Sequence, residues 1–267
     1  MSFSNPRKEN PAKKFIEWSG EKAKFFYYDK ELNEKIIIDI PLYFIVLDEF
    51  HLITGFDKIS KSGIISNEVR NSQTDLMNAR SFKGSFNISG IWKNIKETVT
   101  SVGGKYCKSV YAMLITKEGN ELVNFKFTGS SFSGVTDPED KYKTIGGWLN
   151  VKFNKEKYGV TVKNSIEGKN GTTVYQSPVF EAVNIQSRKE LIQQAIEMDK
   201  VLQDYMDYCL TKNNEHIIED EIDKEINEKQ VLEKEETIDK EPDYNFSQVR
   251  ENAVNNDIMD ETDDLPF

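Results

Sequence analysis

Short aromatic and β-branched runs, separated by polar turns, constrain the fold of this chain more than any other sequence feature. Nine runs have the composition of strands, and several alternate polar and apolar residues, as strands with one solvated face do. They cover residues 24–29, 34–48, 51–56, 80–89, 106–116, 121–129, 147–154, 159–164 and 172–184. We therefore expect a mainly β protein.

Two helical patterns interrupt the strands. Ser89 is placed to cap residues 90–102, where apolar side chains recur at helical spacing before Gly103-Gly104 ends the pattern. A second helix begins at Ser187, with Glu190 three residues on as a capping box. Its apolar stripe predicts that the helix packs on the strands.

A single helix inserted among many strands favours an OB-fold-like (oligonucleotide/oligosaccharide-binding) architecture. This is a partly open Greek-key barrel, here with elaborated loops and a helix between the third and fourth barrel strands. Periodicity does not fix strand order, so a β-sandwich is the alternative. The predicted division is a barrel domain over 1–185, a C-terminal helix over 186–212 and an acidic, largely disordered tail over 213–267.

Charge is divided unevenly along the chain, whose formal net charge is −10. Residues 1–185 hold 26 Lys and Arg against 21 Asp and Glu, whereas residues 186–267 hold 9 against 24. A mildly basic body followed by a strongly acidic tail indicates electrostatic partners. Few apolar residues follow Pro242, so we expect disorder there.

The sequence lacks the usual signatures of enzyme chemistry. It has no phosphate-binding glycine loop, no HExxH and no CxxC, and its histidines are His51 and His216 alone. Cys107 and Cys209 are far apart, as buried apolar thiols would be. We expect no enzymatic activity, no cofactor and no metal. The apolar runs are too short to cross a bilayer and a signal-peptide core is missing, which predicts a cytoplasmic protein without a membrane partner.

Lysines and arginines are interleaved with aromatic residues in several runs. In residues 24–29, alternation puts Phe25 and Tyr27 on one face and Phe26 and Tyr28 on the other, and we expect the second pair to be exposed. Cations that follow phosphates, together with aromatic faces that stack bases, are typical of single-stranded nucleic acid binding. The candidate binding residues are Lys22, Lys24, Phe26, Tyr28, Arg70, Arg80, Lys105, Tyr106, Lys108 and Tyr111.

The sequence ends in Asp263, Asp264, Leu265, Pro266 and Phe267. This ending resembles the acidic tip of the bacterial single-stranded DNA-binding proteins, with Leu265 where isoleucine is usual. The resemblance implies a docking peptide, whose final aromatic and carboxylate enter a basic-rimmed apolar pocket on replication and repair enzymes. The stretches "NPAKKFIEWSG", "KFFYYDK" and "SNEVR" resemble single-stranded DNA-binding proteins of large tailed bacteriophages.

Two functional hypotheses follow from these patterns. In the first, the chain coats and protects single-stranded DNA during phage replication, recombination and repair, in the host cytoplasm, and recruits enzymes through residues 263–267. In the second, it is an acidic interaction protein or DNA mimic that inhibits a host nucleic-acid enzyme. The second predicts an acidic body, so the basic balance of residues 1–185 favours the first. The oligomeric state stays open.

Overall fold

The computed structural model describes residues 8–132, 145, 149 and 157–211. Within these residues, eleven strands form one sheet and two helices pack against it, so the protein is mainly β, as predicted. Helix α1 spans Trp92–Ser101, and α2 is helical over residues 189–211. The strands are β1 (Lys14–Ser19), β2 (Lys24–Asp29), β3 (Glu34–Ile38), β4 (Leu42–Asp57), β5 (Ser62–Ser66), β6 (Met77–Ser81), β7 (Asn87–Gly90), β8 (Gly104–Ile115), β9 (Asn120–Phe127), β10 (Tyr158–Asn170) and β11 (Thr173–Asn184).

The sheet is open and mixed. Its hydrogen-bonded order is β3-β2-β1-β9-β8-β4-β5-β6-β7, and the β10–β11 hairpin joins the start of β4. Strand β8 returns beside β4, the first strand of the β4–β7 meander, which is Greek-key order. Helix α1 forms that return connection. The predicted barrel-like architecture with one inserted helix is therefore confirmed.

Strand β4 keeps the same face toward the core over its length because it contains a β-bulge. Its register with β8 shifts between Val46 and Asp48, which makes Leu47 the extra residue. Phe44 and His51 pair with β8 residues that are six positions apart, so both point to one side of the sheet. We call this side the inner face and the opposite side the outer face.

An aromatic-rich inner core covers the inner face. Phe125 is central to it, and the ring centroids of Phe44, Phe127 and Phe25 lie 4.6, 5.6 and 5.8 Å from that of Phe125. Burial of each such side chain contributes roughly 1.5–3 kcal/mol. The core holds β2 in a fixed orientation through Phe25. Its buried members are Ile16, Phe25, Leu42, Phe44, Val46, Val110, Ala112, Leu114, Val123, Phe125, Phe127, Ile145, Leu149, Val160, Val162 and Phe180.

Helix α2 packs on the outer face of β4 and β8. Its Ala195, Leu202 and Met206 are buried against Phe50 and Tyr111 of the sheet. This contact removes the middle of the outer face from solvent. None of the described sheet residues that pack in this cluster belongs to β1–β3 or to β5–β7.

A third cluster lies between α1 and the strands that we call the wing, namely β5, β6, β7 and residues 54–57 of β4. Ile95 and Val99 of α1 are buried there, as their spacing predicts. The predicted cap was wrong. Ser89 lies in β7, and the helix starts after Ile91 without a side-chain cap hydrogen bond.

Several predicted strand limits were also wrong. Pro41 has no amide proton to donate and ends the 34–48 run, so residues 42–57 form one strand. Gly84, at φ +125°, lies in the turn that divides 80–89 into β6 and β7. Strands β1, of six residues, and β5, of five residues, were not predicted. Of the predicted 147–154 strand, only Leu149 is among the described residues, and it is helical and buried.

Candidate nucleic-acid interface

Strand β2 presents its aromatic side chains on both faces of the sheet. Phe25 is fully buried in the inner core, and Tyr27 packs beside it. On the outer face, Phe26 is half-buried and Tyr28 is 51% exposed. The predicted orientation of Phe26 and Tyr28 is therefore confirmed, while their role in binding stays a prediction.

Lysines lie over the aromatic rings of this outer surface. The Lys35 Nζ is 4.7 Å from the Phe26 ring centroid, and the Lys126 Nζ is 5.1 Å from that of Phe15. Phe26 pairs across the strands with Glu17, which in turn pairs with Lys126, so the two ring–lysine pairs are neighbours. We define the β2 face as Phe15, Phe26, Tyr28, Lys35 and Lys126.

Three members of the β2 face were missed by the sequence analysis, namely Phe15, Lys35 and Lys126. The signal for Phe15 and Lys126 is the alternation in "KFIEWS" and "NFKF". It points Phe15 to the face opposite that of Ile16, and Lys126 to the face opposite that of Phe125. The pairing of β1 with both β2 and β9 brings them together. Pattern alone does not reveal that pairing.

The two lysines predicted at the start of β2 are exposed. Lys24 has the same direction as Phe26 and Tyr28, and its Nζ lies 2.8 Å from an Asp39 carboxylate oxygen. Exposed ion pairs of this kind contribute about 0–1 kcal/mol, so a phosphate can replace the Asp39 carboxylate at little cost. Lys22 lies in the exposed turn that leads into β2.

Arg80 and Lys105 are also exposed, but they belong to the wing side of the outer face. Lys105 is opposite Thr54, Thr54 is opposite Ile65, and Ile65 is opposite Arg80. The two cations are therefore in one line across four strands. They do not contact the β2 face.

The prediction that Lys108 binds DNA was wrong. Lys108 is on the inner face and 1% exposed, with its Nζ 3.3 Å from Glu49 Oε2 and 3.4 Å from His51 Nε2. The alternation of β8 points it away from Lys105. Its ammonium group pairs with Glu49 and His51 inside the protein and cannot contact a bound phosphate.

Tyr106 is half-buried and belongs to a hydrogen-bonded chain with Lys108 and His51, while its predicted stacking role stays a prediction. Its ring packs against Trp92 and Phe132, with centroids 5.2 and 5.9 Å away. An ammonium group can only donate, so His51 Nε2 accepts from Lys108 and the His51 proton is on Nδ1. His51 then donates to the Tyr106 hydroxyl, which donates to Ser72 Oγ at 3.2 Å.

This arrangement predicts an acid-sensitive contribution of His51 to stability. Burial, followed by the nearby Lys108 charge, lowers the pKa of His51 to about 4. The unfolded chain, with a pKa near 6.5, binds the proton more readily, so stability falls as pH drops from about 6.5 toward 4. The free energy of unfolding should be measured with urea at pH 7.5 and 4.5. Between these pH values it should fall by about 2 kcal/mol more in wild type than in His51→Gln, after a discount for solvent screening. Equal losses in both proteins would contradict this assignment.

Tyr111 and Arg70 hold the outer face together. Tyr111 is closed off from solvent, whereas the Arg70 side chain is 47% exposed and its role in binding stays a prediction. Tyr111 is 1% exposed and donates its hydroxyl to Glu68 Oε2 at 2.9 Å, so its predicted stacking role was wrong. Burial is the largest cause that raises the pKa of Tyr111, and it is also the largest cause that raises the pKa of Glu68. Arg70 pairs with Asp48 at 3.0 Å and lies over the Phe50 ring at 4.7 Å, which ties it to the helix-covered region.

The remaining sequence predictions concern other parts of the chain. The docking residues 263–267 lie outside the described residues. Among residues 8–132, 145, 149 and 157–211, no group of three or more His, Cys, Asp and Glu side chains could hold a metal ion. Burial raises the pKa of the Cys107 thiol to about 12, so this cysteine is a poor nucleophile.

The described helices are all too short or too polar to span a membrane. No protein family, no curated protein sequence and no solved structure matches this chain.

Proposed function

We propose that this chain is a single-stranded DNA-binding protein of the bacteriophage type, without enzymatic activity. It coats and protects the strand during replication, recombination and repair, in the cytoplasm of the host. The observation that carries the proposal is the β2 face, where half-buried Phe26 and exposed Tyr28 lie beside Lys35 and Lys126 on one side of the sheet.

The chemistry of the β2 face suits unpaired bases joined by phosphates. Stacking on an aromatic side chain contributes about 1–3 kcal/mol per base with little dependence on sequence. The lysine Nζ atoms over Phe26 and Phe15 are close enough to the rings to meet the phosphates of a stacked strand. Since the inner core fixes β1 and β2, little conformational entropy is lost when these rings bind.

Recruitment of partner enzymes is assigned to residues Asp263–Phe267, on the basis of their resemblance to the acidic tip. The upstream acids of residues 213–267 also compete with phosphates for the basic body. Deletion of residues 263–267 should therefore leave DNA binding unchanged or tighter, while removing recruitment of replication enzymes. Loss of DNA binding on this deletion would contradict the division of roles.

A titration of fluorescent oligo-dT at two salt concentrations tests the binding function. With Lys24, Lys35 and Lys126 each neutralising one phosphate, log affinity should fall with log salt at a slope of about −2. Raising salt from 50 to 200 mM should then weaken binding roughly 20-fold. An equimolar duplex of the same length should bind more weakly, because its bases are not free to stack. No binding of oligo-dT by the full chain at 50 mM salt would refute the proposal.

A further inference from the structure

The tip of the wing exposes large apolar side chains to solvent. We define the wing tip as residues 56–63 and 80–86, the two turns at the far end of β4–β5 and β6–β7. Phe56 is 54% exposed, Phe82 67% and Ile59 89%. Exposed aromatic residues grouped at one end of a structure mark an interaction site more often than a chance feature.

The two aromatic residues of the wing tip flank a glycine on the outer face. Phe56 is directly opposite Gly63, and the Phe82 N–H donates to the Gly63 carbonyl oxygen at 2.9 Å. A Cβ on Gly63 would be 3.0 Å from two atoms of the Phe82 ring, so that ring lies over the glycine. Because Phe82 is two-thirds exposed, the other side of its ring is open to solvent.

The wing tip is held rigidly by hydrogen bonds within its first turn and between its two turns. Asp57 accepts from the Ile59 N–H at 2.9 Å and from Ser60 Oγ at 2.5 Å. Ser62 Oγ accepts from the Lys83 N–H and donates to the Lys83 carbonyl oxygen, both at 2.9 Å. Phe56 and Phe82 are therefore presented from a fixed backbone, as a preorganised binding site requires.

The charge around the wing tip favours an anionic partner. Four cationic side chains belong to residues 56–63 and 80–86, and the one carboxylate among them, Asp57, is 4% exposed and engaged by the turn. Aromatic rings surrounded by cations suit stacked bases and their phosphates better than an apolar protein surface. The cations are Lys58, Lys61, Arg80 and Lys83.

We propose that Phe56 and Phe82 form a second base-stacking site for the same DNA strand that binds the β2 face. This inference rests on the proposed single-stranded DNA binding. Strands β2 and β6 are six strand intervals apart, which is about 29 Å along the sheet at about 4.8 Å per interval. Lys105 and Arg80 are exposed on the wing side of the outer face, where they can contact the strand near the wing tip.

The test measures the affinity of the full chain for dT30. Replacing Phe56 and Phe82 by alanine should weaken dT30 binding between about 5-fold and about 150-fold for each stacked ring lost. The matched control is Ile59→Ala, which removes exposed apolar surface from the same tip without an aromatic face and should leave affinity unchanged. The Phe56→Tyr/Phe82→Tyr variant keeps both ring faces and should retain wild-type affinity. Thermal unfolding verifies that each variant is folded.

Photocrosslinking with 5-iodouracil-substituted dT30 adds a direct readout, since peptide mapping should place adducts on Phe56 or Phe82. Two results together overturn the second site and leave the proposed function intact. The alanine variant binds dT30 as tightly as wild type, and the crosslinked wild-type chain carries no adduct in residues 56–63 or 80–86. If Ile59→Ala weakens dT30 binding as much as the double alanine variant does, the stacking assignment is overturned. If wild type binds no dT30 at all, both proposals fail together.

Discussion

Replacing Phe26 and Tyr28 together by alanine should weaken oligo-dT binding by about 2–6 kcal/mol, or roughly 30-fold to more than 10,000-fold. Each ring is on the outer face, outside the inner core that holds β2, so its loss removes a stacking surface and little buried area. Fluorescence anisotropy at constant salt measures the effect. Thermal unfolding should show only a small change in midpoint.

Ile37→Ala is the matched control for this double variant. Ile37 is directly opposite Phe26 on β3 and is 41% exposed, so the substitution removes apolar surface from the same place without removing a ring. We expect dT affinity within twofold of wild type. If the Phe26/Tyr28 variant binds as tightly as Ile37→Ala, the β2 face is not the DNA-binding surface.

Lys108→Met should lower stability by about 3–5 kcal/mol, because it leaves the Glu49 carboxylate in the interior without its ion-pair partner. For a domain of this size the unfolding midpoint should fall by roughly 6–20 °C. Calorimetry of the full chain measures this change. Adding Glu49→Gln to Lys108→Met should recover part of the loss, and a strictly additive double variant would contradict the coupling.

Lys105→Ala provides the contrast, since it is three residues from Lys108 and points to the outer face. We expect it to leave the midpoint nearly unchanged while weakening dT30 binding severalfold, in proportion to one lost phosphate contact. The opposite result, a destabilised Lys105 variant and a stable Lys108 variant, would reverse the assignment of the two faces.

Local alternation leaves two possible arrangements for β2, and the run itself does not distinguish them because each face carries one Phe and one Tyr. One of them buries Phe25 and Tyr27, and the apolar context of the sheet selects it. The Greek-key position of α1 was predictable in outline, since a helical pattern among strands must connect two of them. Local periodicity gives the alternation and the helix, whereas the choice of the buried pair in β2 depends on the sheet.

The errors at Lys108 and Tyr111 have a different origin. Strand β8 is central and buried on both faces over most of its length, so polar residues in it are no sign of a solvated side. Lys108 is tolerated there because Glu49 and His51 come from β4, more than fifty residues earlier in the chain. Tyr111 is satisfied by Glu68 and Asn10 from two further segments. Partners that distant in sequence are invisible to pattern analysis.

The β2 face was found only in part because it is assembled from four strands, β1, β2, β3 and β9. Phe26 and Tyr28 were found in one strand, whereas Phe15 and Lys126 come from β1 and β9. Pro41, which has no amide proton to donate, also separates β3 from β4 within a run that composition suggested to be one strand. Register and neighbour choice are tertiary properties, and they decide which side chains share a surface.

The parallel pairing of β1 with β9 also determines when the β2 face can be completed during synthesis. Lys14 pairs with Val123, so the first strand waits for a partner 109 residues downstream. At about 5–20 residues per second, the ribosome needs roughly 5–20 s to make that stretch. Until then β1–β3 is a three-stranded meander with an unpaired edge and uncovered Phe25, a form prone to associate with other chains. The β2 face is therefore completed late in the translation of the chain.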